Sequence, residues 1–384
     1  MTAIQVSFLI LWLASVIFYA LSAYCVSSYY KRAGKKKAET AVEELPPVSV
    51  MKPVKGADYD TYENLKSFVM QDYPRYQVVF GVADEGDPAV GLIKRLIAEN
   101  PGKDLSLTIG SMPVGANHKI CNLDNMYKNV YYSIVIIADS DMRVGPDYLR
   151  EVVRGFDGPD VGLVTCPYRG AYPEDIGATF EALTIDTDFM PSVAVAERLE
   201  GLSFAMGATM AVRREALEKI GGFGALADYL ADDYKLGNLV MKAGYSLRLS
   251  GYVVDSVGRR ETIGSYLSHQ LRWGRTYRAC RPKGYFLSVL TKGTAFSVFF
   301  LLATGFSQAG WALFTANLLV RYAQAYYMEA VYIKGPGVLR LLWLLPVKDL
   351  LGFAVWLLSF TGSTVRWKDV RFRVDKEGRM VEVP

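Results

Sequence analysis

Three groups of aspartates stand out by residue type and position. The first, Asp139-Ser140-Asp141, follows the unbroken apolar run Ile134-Val135-Ile136-Ile137-Ala138. A strand buried on both faces reads as such a run, and in open α/β sheets ligands sit beyond the carboxyl ends of the strands. Two carboxylates one residue apart at that point converge on a hard divalent cation, which in turn neutralises a nucleotide pyrophosphate. Aspartates also begin ordinary turns; the buried strand in front of this pair favours the metal reading.

The second group, Asp84 and Asp87 in VADEGDPA, lies just past another β-rich run. An acid at a strand end is a recurring way to hold a nucleoside, while Asp87-Pro88 also reads as a helix N-cap with Pro at the first helical position. The two uses are compatible, because Asp84 need not cap anything. The third group, Asp232-Asp233 in LADDYKLG, follows Gly221-Gly222-Phe223-Gly224 and opens a helical pattern. Acids in a first helical turn complement the macrodipole; a carboxylate at the mouth of a nucleotide site is equally a general base for an acceptor hydroxyl. Last comes His269-Gln270-Leu271-Arg272-Trp273. It opens a run in which Arg272, Arg275, Arg278 and Arg281 recur every three residues, with Trp273, Tyr277 and Tyr285 interleaved. That face suits an interfacial helix whose guanidinium groups meet anionic headgroups. Arg272 also suits a diphosphate, which Arg grips as a bidentate fork.

Such residues need an α/β scaffold to gather them. Between about 46 and 258 short β-rich runs alternate with helical patterns, the signature of an α/β sheet. Strands are expected over 48–54, 77–83, 105–109, 133–139, 162–166 and 247–254, and helices over 59–71, 89–99, 121–128, 146–155 and 214–220. There is no internal repeat, and the one linker-like composition is the Lys/Ala/Glu-rich segment 35–44.

The 384 residues are 51% hydrophobic and 21% charged, with 43 Lys+Arg against 39 Asp+Glu. That excludes a disordered chain, and a net charge of only +4 argues against a nucleic-acid binder. The apolar residues crowd the two ends. Residues 3–26 carry no formal charge and, at about 1.5 Å per residue, cross a hydrocarbon core of ~30 Å; a secretory signal would have a shorter apolar stretch and a basic start. Lys31, Arg32, Lys35, Lys36 and Lys37 follow, which assigns that flank to the cytoplasm. The other end is apolar over 294–333 and 341–362, between basic flanks that hold Arg275, Arg278, Arg281 and Lys283 before it and Arg366, Lys368, Arg371 and Arg373 after it. An even number of crossings is therefore expected there, two being favoured, although 294–333 has room for two short spans. Lys348 and Asp349 are costly in lipid unless paired or turned toward protein or water; a lipid-entry cleft and a mutual pairing both fit. Cys25, Cys121, Cys166 and Cys280 form no C-x-x-C pair and read as reduced thiols.

Taken in order, these residues resemble the family 2-like inverting glycosyltransferases of GT-A fold. The resemblance is strongest to the ceramide glucosyltransferase family, family 21, with its bacterial relatives in hopanoid biosynthesis. The likeness runs through MKPVKG at 51–56, QDYPRYQVVFGV at 71–82, DPA at 87–89, VGANHKICNL at 114–123, ADSDMRVGPDYL at 138–149, GLVTCPYRG at 162–170, ADDY at 231–234 and LRW at 271–273. It implies a Rossmann-like nucleotide-diphospho-sugar transferase domain, α/β in class, flanked by transmembrane helices. Asp87 matches the family's first aspartate, with Asp84 beside it in the uridine pocket. Asp139 matches the second, and Asp141 completes a pair for Mg2+ or Mn2+. Asp233 matches the third, the catalytic base, with Asp232 next to it, and Lys119 in VGANHKICNL joins the nucleotide-sugar-binding set. Arg272 and Trp273 match the end of the Q/R-x-x-R-W motif, whose first position, Gln or Arg in the family, is His269 here.

The resemblance further implies transfer of a sugar, glucose or N-acetylglucosamine, from a UDP-sugar donor to a hydroxyl of a ceramide- or hopanoid-type lipid in the bilayer. The enzyme would sit in the cell (inner) membrane with its catalytic domain cytoplasmic, and with neither nucleic acid nor an obligate protein partner. A processive polysaccharide synthase shares the motifs but would carry more membrane helices. A non-enzymatic membrane protein with a nucleotide-sensing domain would lack the acids at the strand ends. The expected organisation is an N-terminal transmembrane anchor over 1–27, a basic linker over 28–45 and the GT-A domain over 46–258. Amphipathic interfacial helices with the HxxRW motif follow over 259–292, then a transmembrane region over 293–364 and a basic cytoplasmic tail over 365–384.

Overall fold

The computed structural model describes residues 1–39, 45–58, 60–257, 261–367 and 370–383. The expected helix start at residue 59, the linker residues 40–44, the domain boundary at 258–259 and Lys368 of the basic flank lie outside them.

Among the described residues ten strands build the middle of the chain: β1 (Val48–Val54), β2 (Tyr76–Val82), β3 (Asp104–Ile109), β4 (Ile134–Ile137), β5 (Met142–Arg143), β6 (Val161–Thr165), β7 (Tyr168–Ala171), β8 (Met210–Arg213), β9 (Ser246–Leu249) and β10 (Val254–Val257). Seven of them form the central sheet, in the order β3-β2-β1-β4-β8-β6-β9. Neighbours run parallel except at β8, which is antiparallel to both β4 and β6. β1, β4 and β6 are buried along their whole lengths, which is why they read as continuous apolar runs. The register pairs Met51 with Ile137 and Val54 with Val82. The carboxyl ends of β1, β2 and β4 therefore share one edge, and the segments carrying Asp84, Asp87, Asp139 and Asp141 leave from it. β5 and β7 begin just past the ends of β4 and β6 and join β10 in a second small sheet at that same edge.

The helix Ala3–Glu39 has 37 residues and is about 55 Å long at 1.5 Å per residue. It runs on through residues 28–39, the first part of the expected linker. Its later half is docked: Cys25 and Val26 lie in the main core with Met190, Val193 and Ala194, and Tyr29 Oη donates to the Ser250 carbonyl. Among the described residues two helices, Ala3–Gly34 and Leu339–Ser359, are long and apolar enough to cross a membrane. A third candidate is the pair Pro282–Thr291 and Gly293–Ala303, bent by 57°.

Within Leu339–Ser359, Lys348 and Asp349 find partners inside the protein on the segments Ile185–Phe189 and Gln308–Tyr327. Lys348 Nζ lies 2.7 Å from Asp349 Oδ1 and 2.9 Å from Asp188 Oδ2, and the Arg321 guanidinium joins the same two carboxylates at 3.0 and 2.6 Å. The pairing reading of Lys348-Asp349 is thus the observed one, as the cost of charge in lipid requires. All four cysteines carry free thiols, as expected.

Where the sequence reads as a basic tail, the chain folds into an antiparallel meander of β11 (Thr364–Trp367), β12 (Val370–Val374) and β13 (Met380–Glu382). Phe372 and Val374 are buried and Arg371 and Arg373 exposed. Alternation over five residues is easily read as a run of arginines.

Candidate active site

Gly207 lies between two of the expected acids. Asp139 N donates to the Gly207 carbonyl at 3.3 Å, and Gly207 N donates to Asp233 Oδ2 at 3.0 Å. A Cβ on Gly207 would stand 2.5 Å from Asp139 Oδ2 and 3.7 Å from Asp233 Oδ2. Only glycine lets both carboxylates close on this one stretch of backbone. On the other side Lys119 Nζ bridges Asp139 Oδ1 at 2.7 Å and Asp232 Oδ2 at 3.0 Å. Residues 139, 207 and 232–233 come from distant parts of the chain and meet beyond the carboxyl end of β4.

Local structure explains each placement. Lys119 occupies the first turn of the helix His118–Tyr127, whose cap is Asn117: its Oδ1 accepts from Lys119 N and Ile120 N, and its Nδ2 donates to the Tyr229 carbonyl at 2.8 Å. Asp232 and Asp233 open the helix Asp232–Lys242, so their charge also suits the positive end of that helix. Lys52, buried on β1, donates to the Asp139 carbonyl and lies 3.7 Å from the centre of the Phe68 ring.

Burial first, and Asp232 second, push the Asp233 carboxyl up to about 6, with Lys119 pulling the other way. Burial presses the Lys119 ammonium down, but Asp139 and Asp232 outweigh it and hold Lys119 above its usual range. Lys52 is lowered to about 7 by burial, against the pull of Asp141 and Asp139. Asp139 and Asp141 offer carboxylate oxygens at a strand end, the donor type that Mg2+ or Mn2+ takes, so the residues fit a hard divalent cation.

The helix Ile263–Cys280 carries His269, Arg272 and Trp273. His269 meets the Trp273 ring edge-on at 4.7 Å, and Trp273 stands 5.9 Å from Phe189. Glu181 anchors the start of the motif: its Oε1 is 3.3 Å from His269 Nδ1 and its Oε2 accepts from Gln270 Nε2 at 2.8 Å. Burial would raise Glu181, but His269 and Gln270 outweigh it and hold the carboxyl below its usual range. Ligand atoms of Glu181, Glu261 and His269 lie within 4.8 Å of one another, but Glu181 already shares its oxygens with His269 and Gln270. Arg272 is lowered by burial, with Glu181 and Asp233 opposing.

The other arginines of that face have partners within the protein. Arg275 donates to the Thr364 and Thr361 carbonyls, Arg278 to the Gly362 carbonyl, and Arg281 pairs with Glu200. These carbonyls belong to the turn that leads from the helix Leu345–Ser359 into β11, and the guanidinium groups satisfy them. The two helices touch closely at Gly274, where a Cβ would be 3.4 Å from Ser359 Cβ.

Asp87 does cap: both its oxygens accept from Gly56 N, at 2.9 and 3.0 Å, and Oδ1 also takes Ala89 N at 2.9 Å. Asp84 is exposed and takes Gly86 N at 2.9 Å. Both stand at the correct edge, but β1 separates their strand from β4, about 10 Å at the usual strand spacing. Gly207, Asn117, Glu181 and Lys52 are the site residues that motif reading missed. Asn117 and Lys52 lie inside the matched motifs; Gly207 and Glu181 act only through contacts distant in sequence.

Residues 8–380 match Glycosyl transferase family 21. The chain is 27% identical over 256 residues to ceramide glucosyltransferase 3 of Caenorhabditis elegans, which covers 66% of this chain and 55% of that protein. It is 26% identical over 240 residues to ceramide glucosyltransferase 1 of the same organism, covering 62% and 51%. The chain thus spans about half the length of the curated relatives it matches. It also resembles the mannosyltransferase PcManGT from Pyrobaculum calidifontis, solved in complex with GDP-Man and Mn2+, at a TM-score of 0.52 and 20% identity over 91% of this chain and 99% of that one. That likeness speaks for the fold, which is GT-A. With the family match running nearly end to end over a sheet whose carboxyl edge gathers the acids, the chain belongs to glycosyl transferase family 21.

Proposed function

We propose that the chain transfers a hexose, glucose or N-acetylglucosamine, from a UDP-sugar to a hydroxyl of a membrane lipid of ceramide or hopanoid type, inverting the anomeric carbon. The observation that carries this reading is the contact of Asp139 and Asp233 across Gly207, with Lys119 bridging Asp139 to Asp232. The acceptor hydroxyl attacks the anomeric carbon from the face opposite the diphosphate and gives its proton to Asp233. The bond from that carbon to the diphosphate oxygen breaks, and its electron pair leaves with UDP. A carboxyl raised to about 6 is a better proton acceptor than an ordinary one and is still ionised at neutral pH.

Lys119 and Arg272 bring positive charge to the leaving diphosphate. Mg2+ or Mn2+ held by Asp139 and Asp141 supplies further neutralisation of that charge. Asp84 and Asp87 line the nucleoside side of the cleft, and His269 and Trp273 border the transferred sugar.

The lipid acceptor stays in the bilayer, where Ala3–Gly34 and Leu339–Ser359 hold the enzyme, and the catalytic domain faces the cytoplasm. The short helix Pro282–Leu287 exposes Phe286 and Leu287 by more than half, the apolar side that an interfacial segment buries at the acyl boundary. Two ceramide glucosyltransferases among the relatives support a lipid acceptor. The test is to incubate membranes containing the protein with a panel of labelled UDP-sugars and extract the lipids. Label from UDP-glucose or UDP-N-acetylglucosamine should enter the lipid phase; label found only in water-soluble polymer, or nowhere, overturns the reading.

A further inference from the structure

The last stretch of chain, β11–β13, adds nothing to the sheet that carries the acids, yet it touches the loops that deliver them. We propose that this C-terminal meander is a positioning element of the active site, a latch that sets the loops carrying Asp233 and Lys119. The proposal rests on the transfer reaction above and extends it to residues that no motif includes.

The contacts converge on residues 226–231, the loop that ends at Asp232-Asp233. From the C-terminal side, Met380 N donates to the Asp228 carbonyl at 2.7 Å and Leu230 N to the Gly378 carbonyl at 3.3 Å. Arg379 Nε donates to Tyr229 Oη at 3.2 Å. The Leu230 side chain is buried in a small core of its own with Val365, Phe372, Val374 and Met380, and Ala116 packs against that core.

From the opposite side the same loop is held by the segment leading to Lys119. Asn117 N donates to the Ala227 carbonyl at 2.7 Å, Asn117 Nδ2 to the Tyr229 carbonyl at 2.8 Å, and Ala116 N to Asp228 Oδ1 at 3.0 Å. The loop before Asp233 is thus sandwiched between the meander and the loop before Lys119. The meander is in turn tied down by Arg275, which donates to the Thr364 carbonyl, while Arg278 holds the Gly362 carbonyl just ahead of β11; both lie within two turns of Arg272 on the motif helix.

Leu226 and Ala227 are also buried in the core with Ile120, Leu123 and Phe223, so the hold of the meander falls on residues 228–231. Leu230 would lose its apolar surroundings without the meander, and Tyr229 would lose Arg379, whose guanidinium lies 5.7 Å from its ring centre, keeping only Lys235 of the helix Asp232–Lys242 at 4.0 Å. A misplacement of about 1 Å at a reacting group costs on the order of 10²-fold in rate. A mobile base loop should therefore lower turnover while leaving donor binding by the rest of the cleft nearly intact.

The experiment compares the full chain with a chain ending at Ser363, and with Phe372→Ser and Phe372→Leu in the full chain. For the shortened chain and Phe372→Ser, kcat should fall by about 30-fold or more with KM for the sugar nucleotide changed less than about threefold, by the same positional argument. Phe372→Leu, which keeps the small core filled, should stay near the parent, and a synthetic peptide of residues 364–384 added to the shortened chain should restore part of the lost kcat. Hydrogen exchange of the amides at 115–119 and 226–233 should speed up in both damaged variants.

The latch is overturned if the shortened chain keeps kcat within twofold. It is equally overturned if Phe372→Ser lowers only the folded fraction, with unchanged kcat per donor-binding molecule and unchanged exchange at 226–233. A parent protein that labels no lipid from any donor contradicts the transfer reading instead, and hydrogen exchange still decides the latch in that case.

Discussion

Replacing Asp233 by Asn keeps the shape of the side chain and removes its ability to take a proton. The amide oxygen still accepts from Gly207 N, now 3.0 Å from Asp233 Oδ2, so the approach of the two loops should survive. Lys119 keeps both of its carboxylates, Asp139 and Asp232, so the cationic face offered to the donor is unchanged. The folded state loses a carboxylate that burial and Asp232 hold at about 6, but also the Oδ1 acceptor of Tyr234 N at 2.7 Å; the two effects oppose, so the melting temperature should stay close to the parent's. Loss of general-base help is worth about 10²–10⁴ in rate, which is about 2.7–5.4 kcal/mol of barrier. The assay is single-turnover transfer of labelled sugar to extracted lipid by detergent-purified protein, with calorimetric UDP-sugar binding in parallel. The expected result is a kcat at or below about 1% of the parent with donor affinity within about threefold. More than a few per cent of the parent's turnover, with the melting temperature unchanged, refutes Asp233 as the base; loss of donor binding alongside turnover makes it a donor ligand instead.

Turnover should show an acid limb near pH 6, because the reactive form of Asp233 is its carboxylate and the fold raises that group from 3.8 to about 6. Below that point kcat should fall about tenfold per pH unit, and a flat profile down to pH 5 would reject the assignment. The linked effect on stability has the opposite sense: the fold favours the protonated form, so this contribution is lost as pH rises from about 4 to 6 and is absent above that window. Chelation with EDTA should abolish transfer and added Mg2+ or Mn2+ restore it, read as lipid-extracted label; full activity in chelator removes the metal role from Asp139 and Asp141. Charge reversal at Arg275 and Arg278 should cost activity equally on vesicles and on detergent-dispersed acceptor, since both side chains hold carbonyls at 361–364. A loss confined to vesicles would return them to the headgroups.

Much of the catalytic sheet is legible in the residues because burial on both faces leaves an unmistakable trace. The expected strand over 48–54 and the expected helix over 89–99 coincide with the observed elements end to end. The run at 134–137 points straight at Asp139 for the same reason. β8 escaped because MAVR is four residues long and lies antiparallel in the middle of a parallel sheet, a pairing that no local pattern encodes. The segment over 247–254 reads as one strand but forms two, β9 and β10, in different sheets.

At the site the aspartates are readable because strand ends and helix starts advertise acids. Gly207 and Glu181 are not, because each matters only through a partner far away in the chain: Gly207 through the absence of a Cβ beside Asp139, Glu181 through His269 and Gln270. The arginine face of the helix Ile263–Cys280 is incompletely legible for a related reason. Its spacing reports an exposed stripe, and only the fold reveals that Arg275 and Arg278 also hold carbonyls at 361–364.

The most direct test of the central claim is the stereochemistry of the product. Purified protein is supplied in parallel with UDP-α-glucose and UDP-α-N-acetylglucosamine, each 13C-labelled at the anomeric carbon, together with membrane lipid, and the extracted lipid is read by the anomeric carbon-proton coupling in NMR. The account predicts that at least one donor gives a β-linked glycolipid, formed in a single displacement with Asp233 as base. An α-linked product, or labelled lipid from neither donor, would contradict it.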